Sequence, residues 1–461
     1  MKKLSETVLH ESAALYRFID CIVRRCADIH EYPVYTKTSR DFLNHIERLG
    51  DETKSFLEQF PSSVGRRRET ATSKRRKLHT LRASWEVLHE YLEPALDADT
   101  LRLPTPLISA IQDEAHKVEG LRALNFTLFH SDEVNYLQVP SGIVKETADS
   151  IAALVHGTRF PPNLGLIGMP YSQSSAFFLN CLLTHEMAHV AYQEFYEVEV
   201  SVEIDAVLQA LVDETTGMSD RDIISARGLL ERWVEEVFCD LFAICLIGPA
   251  YSFSLIELTG ATLLAGSTVL MQDPFHSFVE YHPAEVARFR AHLRLLKKLG
   301  WWDEWRNVRA CHVEVLEASE ERSSSLRIEA DIPRSIGEAG FKKAFFRLCE
   351  WLMEYVAGKV RASASAIPAF LRQSPVISEY LSRAIVPSTI VVRGRLEYPT
   401  AIVLINSFFR FYLEGIPRLI GNVEEREPKP VVRAHSEFVE RLELWALKAL
   451  EDCRLLSQVV G

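Results

Sequence analysis

The sequence predicts a mainly helical α+β fold with one small sheet, and three observations carry that expectation. Apolar residues recur at three- and four-residue spacing through most of the chain. Strand-like stretches are short and lie mainly between residues 124 and 170. The balance of 47% hydrophobic and 25% charged residues is that of an ordinary globular protein, which argues against long disorder or a fibrous repeat. At about 150 residues per domain, 461 residues suggest roughly three parts. The expected division is a helical N-terminal region over 1–105, a core over 106–300 and a helical C-terminal region over 301–461.

In the first part, Leu15, Phe18, Ile19 and Ile22, then Phe42, Ile46, Leu49, Phe56 and Phe60, repeat at helical spacing. The segment Gly65–Lys77 carries seven basic residues and reads as a solvated loop or helix end, with a polyanion-binding strip as the sharper alternative. The prolines of Leu103-Pro104-Thr105-Pro106 mark a boundary. Strands are expected at Leu124–Phe129, Tyr136–Val139 and Leu164–Met169, the last as an edge strand that pairs with an extended peptide. A long helical stretch begins near Ser174. The uncharged run Leu241–Ile256, broken at Gly248-Pro249, and the run Leu258–Met271 are too short for a membrane span of about 18 residues or more, and read as a buried helix pair. Beyond Gly300 the chain is again helical, clearest over Phe341–Gly358 and Ser436–Leu456, with a strand-like piece at Thr389–Val392.

Composition narrows the function. Fifty-two basic against 63 acidic residues give a net charge of −11, so no nucleic-acid partner is expected. Eight cysteines without a C-x-x-C pair read as reduced, buried thiols of a cytoplasmic protein. Ser5-Glu6 and His10-Glu11 interrupt any apolar run after Met1-Lys2-Lys3, so no secretory signal and no membrane partner are expected. No Gly-rich phosphate loop or G-x-S-x-G elbow is visible.

The chemistry concentrates in His185-Glu186-Met187-Ala188-His189. Positions i and i+4 of a helix share a face, so both imidazoles can hold one cation. Glu186 follows the first histidine, where its carboxylate reaches a water held beside that cation. Zinc lowers a water's pKa, and such a carboxylate takes and returns the proton, which is the arrangement for metal-assisted hydrolysis. With 15 histidines and 63 acidic residues, chance supplies only about 0.07 copies of the pattern. Phe177, Phe178, Leu179, Leu182, Leu183 and Val190 make the surrounding helix apolar, so two histidines and a glutamate buried there need something to bind.

A catalytic zinc takes three protein ligands. A third histidine six residues past His189 is excluded, because Phe195 stands there. The apolar segment Glu231–Ile247 instead offers Glu236 as ligand and Asp240, four residues on and facing the same way, as hydrogen-bond partner of a ligand histidine. Glu235 lies about 100° round that helix and is less suited. Glu214 is a weaker rival, having no acidic companion four residues on. Tyr251 and Tyr281 are minor candidates for oxyanion donors and His276 for lining the cleft, while the single histidines without ligand spacing, His292 and His312 among them, read as surface or satisfied core residues.

H-E-x-x-H followed by E-x-x-x-D on a later helix resembles the gluzincin branch of zinc metallopeptidases. With His282-Pro283-Ala284-Glu285-Val286-Ala287-Arg288 added, residues 164–300 are similar to the CAAX prenyl protease and HtpX-like family. The resemblance implies a zincin-like core with one Zn²⁺ per chain, bound by His185, His189 and Glu236. It implies Glu186 as general base, Asp240 as the group orienting a ligand, His282 as an oxyanion donor and Arg288 as a structural residue. The glutamate helix reads EVFCD where that family has E-x-E-A-D. The expected activity is hydrolysis of peptide bonds in a protein or peptide substrate, with the flanking regions able to hold the site inactive until a partner or stress releases them. The alternative is a scaffold or sensor with a structural zinc, which requires a fourth protein ligand such as His276 or His282.

Overall fold

The structure, a computed structural model, describes residues 2–30, 37–60, 71–96, 104–118, 121–122, 125–131, 137–139, 141–159, 164–170, 176–215, 218–263, 283–308, 310–322, 336–416 and 431–460. It is mostly helical, with few and short strands. The chain groups into two units, Met1–Thr105 with Leu124–Ser174, and Pro106–Ala123 with Ser175–Gly461. The strand-forming stretch therefore groups with the N-terminal helices, whereas the division drawn from the sequence put it beside the histidine motif.

In the first unit, helices α1 (Lys2–His30), α2 (Lys37–Gln59) and α3 (Ala71–Leu96) turn their periodic apolar faces inward. Ile19, Ile22, Ile46, Leu49, Trp85 and Leu88 are fully or almost fully buried there. Of the basic segment, residues 71–77 open α3, where Lys74 donates to the Phe60 carbonyl at 3.1 Å and Arg75 pairs with Glu11 at 2.8 Å. Residues 65–70 lie outside the described residues. Helix α4 (Thr105–Ala115) falls with the second unit. Strands β1 (Asn125–Ser131) and β2 (Leu137–Val139) follow, then α5 (Ser141–Val155) and β3 (Leu164–Pro170). The strand order is β1-β3-β2, with β1 parallel to β3 (Asn125 opposite Leu164) and β2 antiparallel (Leu137 opposite Gly168). The expectation of an edge strand at Leu164–Met169 is corrected: β3 is the middle strand, and both its hydrogen-bonding sides are taken. Alternation reports which way side chains face and carries no information on neighbours.

The second unit begins with the short α6 (Phe177–Asn180) and α7 (Leu183–Ala191), a π-helical turn (Tyr192–Tyr196) and α8 (Glu197–Glu214). Then come α9 (Asp220–Ile247), α10 (Pro249–Leu263), α11 (Glu285–Leu299), α12 (Trp302–Trp305), α13 (Cys311–Arg322), α14 (Gly337–Lys359) and α15 (Ala362–Ser382). A hairpin of β4 (Ile390–Val392) and β5 (Arg395–Glu397), α16 (Ala401–Arg410), a second π-helical turn (Phe411–Gly415) and α17 (Val431–Val460) complete it.

Helix α9 runs through the middle of this unit and packs against α7, α8, α10, α11, α14 and α15. A reciprocal capping box between Ser219 and Asp222 starts it, satisfying backbone N–H groups that the first turn leaves unpaired. From Val237 to Ile247 every residue is buried. The helix stops at Gly248, whose φ of 81° suits glycine and whose absent Cβ leaves room for Trp301 and Asn406 at 3.3 Å. Pro249 then opens α10, a position where its missing N–H costs nothing. Buried Asn406 fastens this break from both sides: its amide donates to the Ile247 carbonyl at 2.8 Å and its oxygen accepts from the Ala250 N–H at 3.1 Å. The break fixes how α10 is set against α9, and with it the position of Tyr251.

Among the described residues no helix is long and apolar enough to cross a membrane. All eight cysteines are free thiols. Cys26, Cys181, Cys239, Cys245 and Cys349 are buried as expected, but Cys21 and Cys311 are exposed.

Candidate metal centre

Helix α7 projects His185 and His189 from one face toward α9, which meets them with Glu235, Glu236 and Asp240. The two Nε2 atoms lie 3.2 Å apart. Glu236 Oε2 is 3.3 Å from His185 Nε2, and Glu236 Oε1 is 3.5 Å from His189 Nε2. Four donors about 2.0–2.2 Å from one ion at tetrahedral angles are separated by roughly 3.3–3.6 Å, so the three side chains are spaced as ligands of a small cation. His185 and Glu236 are buried and His189 is nearly so, and these three are the described residues that form such a group.

The far side of each imidazole decides which nitrogen carries the proton. His185 Nδ1 lies 3.0 Å from Asp240 Oδ1 and 3.1 Å from the Tyr251 hydroxyl. His189 Nδ1 lies 2.9 Å from Glu235 Oε1. A proton on each Nδ1, donated to its carboxylate, leaves both Nε2 lone pairs facing each other and the Glu236 carboxylate. Three electron-rich atoms at that spacing repel unless a cation stands among them. Protons can also relieve the repulsion. Burial opposes charge on His185, but hydrogen bonding to Asp240 and Glu236 outweighs it and raises the imidazole to about 10. His189 is likewise raised, by Glu235 and Glu236 against burial.

Asp240 is the hub behind His185. It is fully buried and takes two hydrogen bonds from Arg288 on α11, each of 2.7 Å. The Tyr251 hydroxyl donates to it as well. His292, one turn past Arg288 and wholly buried, brings Nε2 to 3.0 Å from Asp240 Oδ2, with its N–H off the hydrogen-bonding line. Burial alone would raise the Asp240 carboxyl, but the Arg288 charge and hydrogen bonds, with His292, hold it well below the usual carboxylate range.

The structure therefore brings His185, His189, Glu236, Asp240 and Arg288 together. The three acidic rivals take separate places. Glu236 faces both Nε2 atoms, Glu235 stands behind His189, and Glu214 pairs with Lys343 at 2.8 Å in another contact. Glu186 is half-buried on the turn that carries His185 and makes no side-chain hydrogen bond among the described residues. Tyr251 sits behind His185, its ring parallel to the imidazole within 2°, and its hydroxyl meets Asp240 and His185 Nδ1. His276, Tyr281 and His282 lie outside the described residues. Three contacts were missed in the sequence: Glu235 behind His189, Tyr251 behind His185, and His292 at Asp240. The signal for His292 was its spacing of four from Arg288, which puts both on one face of α11.

Compared with protein-family models, with curated proteins and with solved structures, the chain gives no match.

Proposed function

We propose that this protein is a zinc metallopeptidase of the gluzincin kind, with His185, His189 and Glu236 holding one Zn²⁺ and Glu186 acting as general base on a protein or peptide substrate in the cytoplasm. The single observation that carries the reading is the triangle of Nε2, Nε2 and carboxylate oxygens at 3.2–3.5 Å, with a carboxylate behind each imidazole. Zinc bound there supplies Lewis-acid activation of water and of a peptide carbonyl. Asp240 and Glu235 keep the Nδ1 protons on the far side of the rings, so both Nε2 atoms stay available as ligands. Arg288 compensates the buried Asp240 charge and fixes its orientation. Glu186, beside His185 and not committed to a partner, takes a proton at its carboxylate and delivers it to the leaving amine. His282 belongs to this reading through the family resemblance alone, as donor to the developing oxyanion.

The test is hydrolysis of an unfolded protein substrate by the zinc-loaded full chain, with zinc content measured on the same samples. Glu186→Gln keeps zinc but lowers turnover by roughly 10²- to 10⁴-fold, because an amide cannot accept the proton. Equal turnover in that variant, or none in fully zinc-loaded wild type, overturns the reading. Full zinc with no turnover in wild type is the result that a structural-zinc scaffold gives.

A further inference from the structure

A second cluster of reactive side chains lies in the same unit, apart from the metal ligands. Cys311 is exposed at the first position of the twelve-residue helix α13. Its Sγ is 3.5 Å from Nδ1 of His312, which is buried. His312 Nε2 lies 2.7 Å from Glu257 Oε1 on α10, a charge contact in which the N–H is angled off the oxygen. The same Glu257 oxygen accepts from the Tyr412 hydroxyl at 3.0 Å. A thiol, an imidazole and a carboxylate thus stand in series, the thiol exposed, the imidazole buried and the carboxylate about a quarter exposed. We infer that Cys311 is a nucleophilic thiol, activated by His312 and Glu257, that exchanges with low-molecular-weight disulfides.

The order of groups is what nucleophilic sulfur chemistry requires: a nucleophile against a base, and the base against a group that steadies its positive charge. The helix start helps, because backbone N–H groups of a first turn favour an anion beside them. Burial and the Glu257 charge nevertheless hold the Cys311 thiol above its ordinary range, against the N–H groups of His312 and of Cys311 itself. The resting sulfur therefore keeps its proton, and the thiolate forms as it attacks. Burial likewise works against charge on Glu257, but His312 and the Tyr412 hydroxyl outweigh it and keep the carboxylate ionised.

The exchange balances without any further reactant. As Cys311 Sγ attacks one sulfur of the disulfide, its proton passes to His312 Nδ1, and Glu257 stabilises the imidazolium. The new Cys311–sulfur bond forms as the old sulfur–sulfur bond breaks. The departing thiolate recovers the proton from His312, which leaves one mixed disulfide and one free small thiol.

The probe is oxidised glutathione, added to the full-length protein, with mixed-disulfide formation followed at each cysteine by peptide mass spectrometry. Cys21, exposed on α1 in the other unit, is the internal standard. A positioned general base predicts that Cys311 reacts about 10²-fold faster than Cys21, and that His312→Gln brings Cys311 down to the Cys21 rate while the Cys21 rate stays unchanged. Glu257→Gln produces an intermediate loss. Cys311 reacting no faster than Cys21 in wild type overturns the inference, and this comparison requires no variant to fold. An unchanged Cys311 rate in His312→Gln overturns it equally.

Discussion

Replacing Asp240 by Asn keeps the shape of the side chain and removes one charge from a fully buried position. Arg288 then loses the carboxylate that receives both its 2.7 Å hydrogen bonds, and its buried guanidinium keeps only the longer 3.7 Å contact with Glu236. Leaving one partner of a buried ion pair uncompensated costs about 3–5 kcal/mol. Asn can still accept through its one oxygen, but in either orientation its amide NH₂ faces an Arg288 donor. The expected destabilisation of the metal-free protein is therefore about 3–5 kcal/mol, read by urea melting through the buried Trp233, Trp301 and Trp305. His185 also loses the acceptor at its Nδ1, so zinc affinity falls by roughly 10- to 100-fold in a chelator competition. Adding Arg288→Met removes the stranded charge and recovers part of the stability, while zinc affinity stays low. If Asp240→Asn melts within about 1 kcal/mol of wild type and binds zinc equally well, Asp240 is not the hub that the distances describe.

The same substitution behind the other histidine separates orientation from stability. Glu235 is about a quarter exposed, so Glu235→Gln is expected to weaken zinc binding by no more than about 10-fold and to leave the melting curve nearly unchanged; a loss as large as that of Asp240→Asn would contradict this. Glu443 on α17 gives a pH signature. Burial raises its carboxyl from 4.5 to about 7, against the Phe178 N–H that it accepts at the start of α6. An acid raised in the folded state contributes its full stability below 4.5 and loses it as pH climbs through about 7. Glu443→Gln should match wild type near pH 4.5 and exceed it by about 1–3 kcal/mol at pH 8 in paired urea melts. A variant less stable than wild type at pH 8 would show that the ionised carboxylate is favoured there.

The parts of the site that lie within one helix were readable from residue spacing. His185 and His189 are four apart, and α7 does place them together. Glu236 and Asp240 stood out because carboxylates in an apolar helix demand partners, and the same physics brings them against the histidines and Arg288. What spacing did not carry is how helices cross. Glu235, about 100° from Glu236, looked turned away, yet α7 lies against α9 so that both reach His189, Glu235 at Nδ1 and Glu236 at Nε2. Tyr251 depends on the break at Gly248-Pro249, whose geometry is set by Asn406, more than 150 residues later in the chain. His292 carried only its spacing of four from Arg288, and the Asp240 that both face belongs to another helix. In the fold, periodicity identified the helices and alternation located the strands. Pairing partners and strand order are long-range properties, and β3 proved central for that reason.

Elemental analysis of purified full-length protein, after incubation with zinc and removal of excess, tests the metal centre most directly. Wild type should retain about one zinc per chain, and His185→Ala, His189→Ala and Glu236→Ala should each lose it, since each removes one of three ligands. Glu235→Ala should retain it in the same experiment, because that carboxylate touches only the far nitrogen of His189. Wild type without zinc, or Glu236→Ala with full occupancy, would contradict the assignment of these three residues as the ligand set.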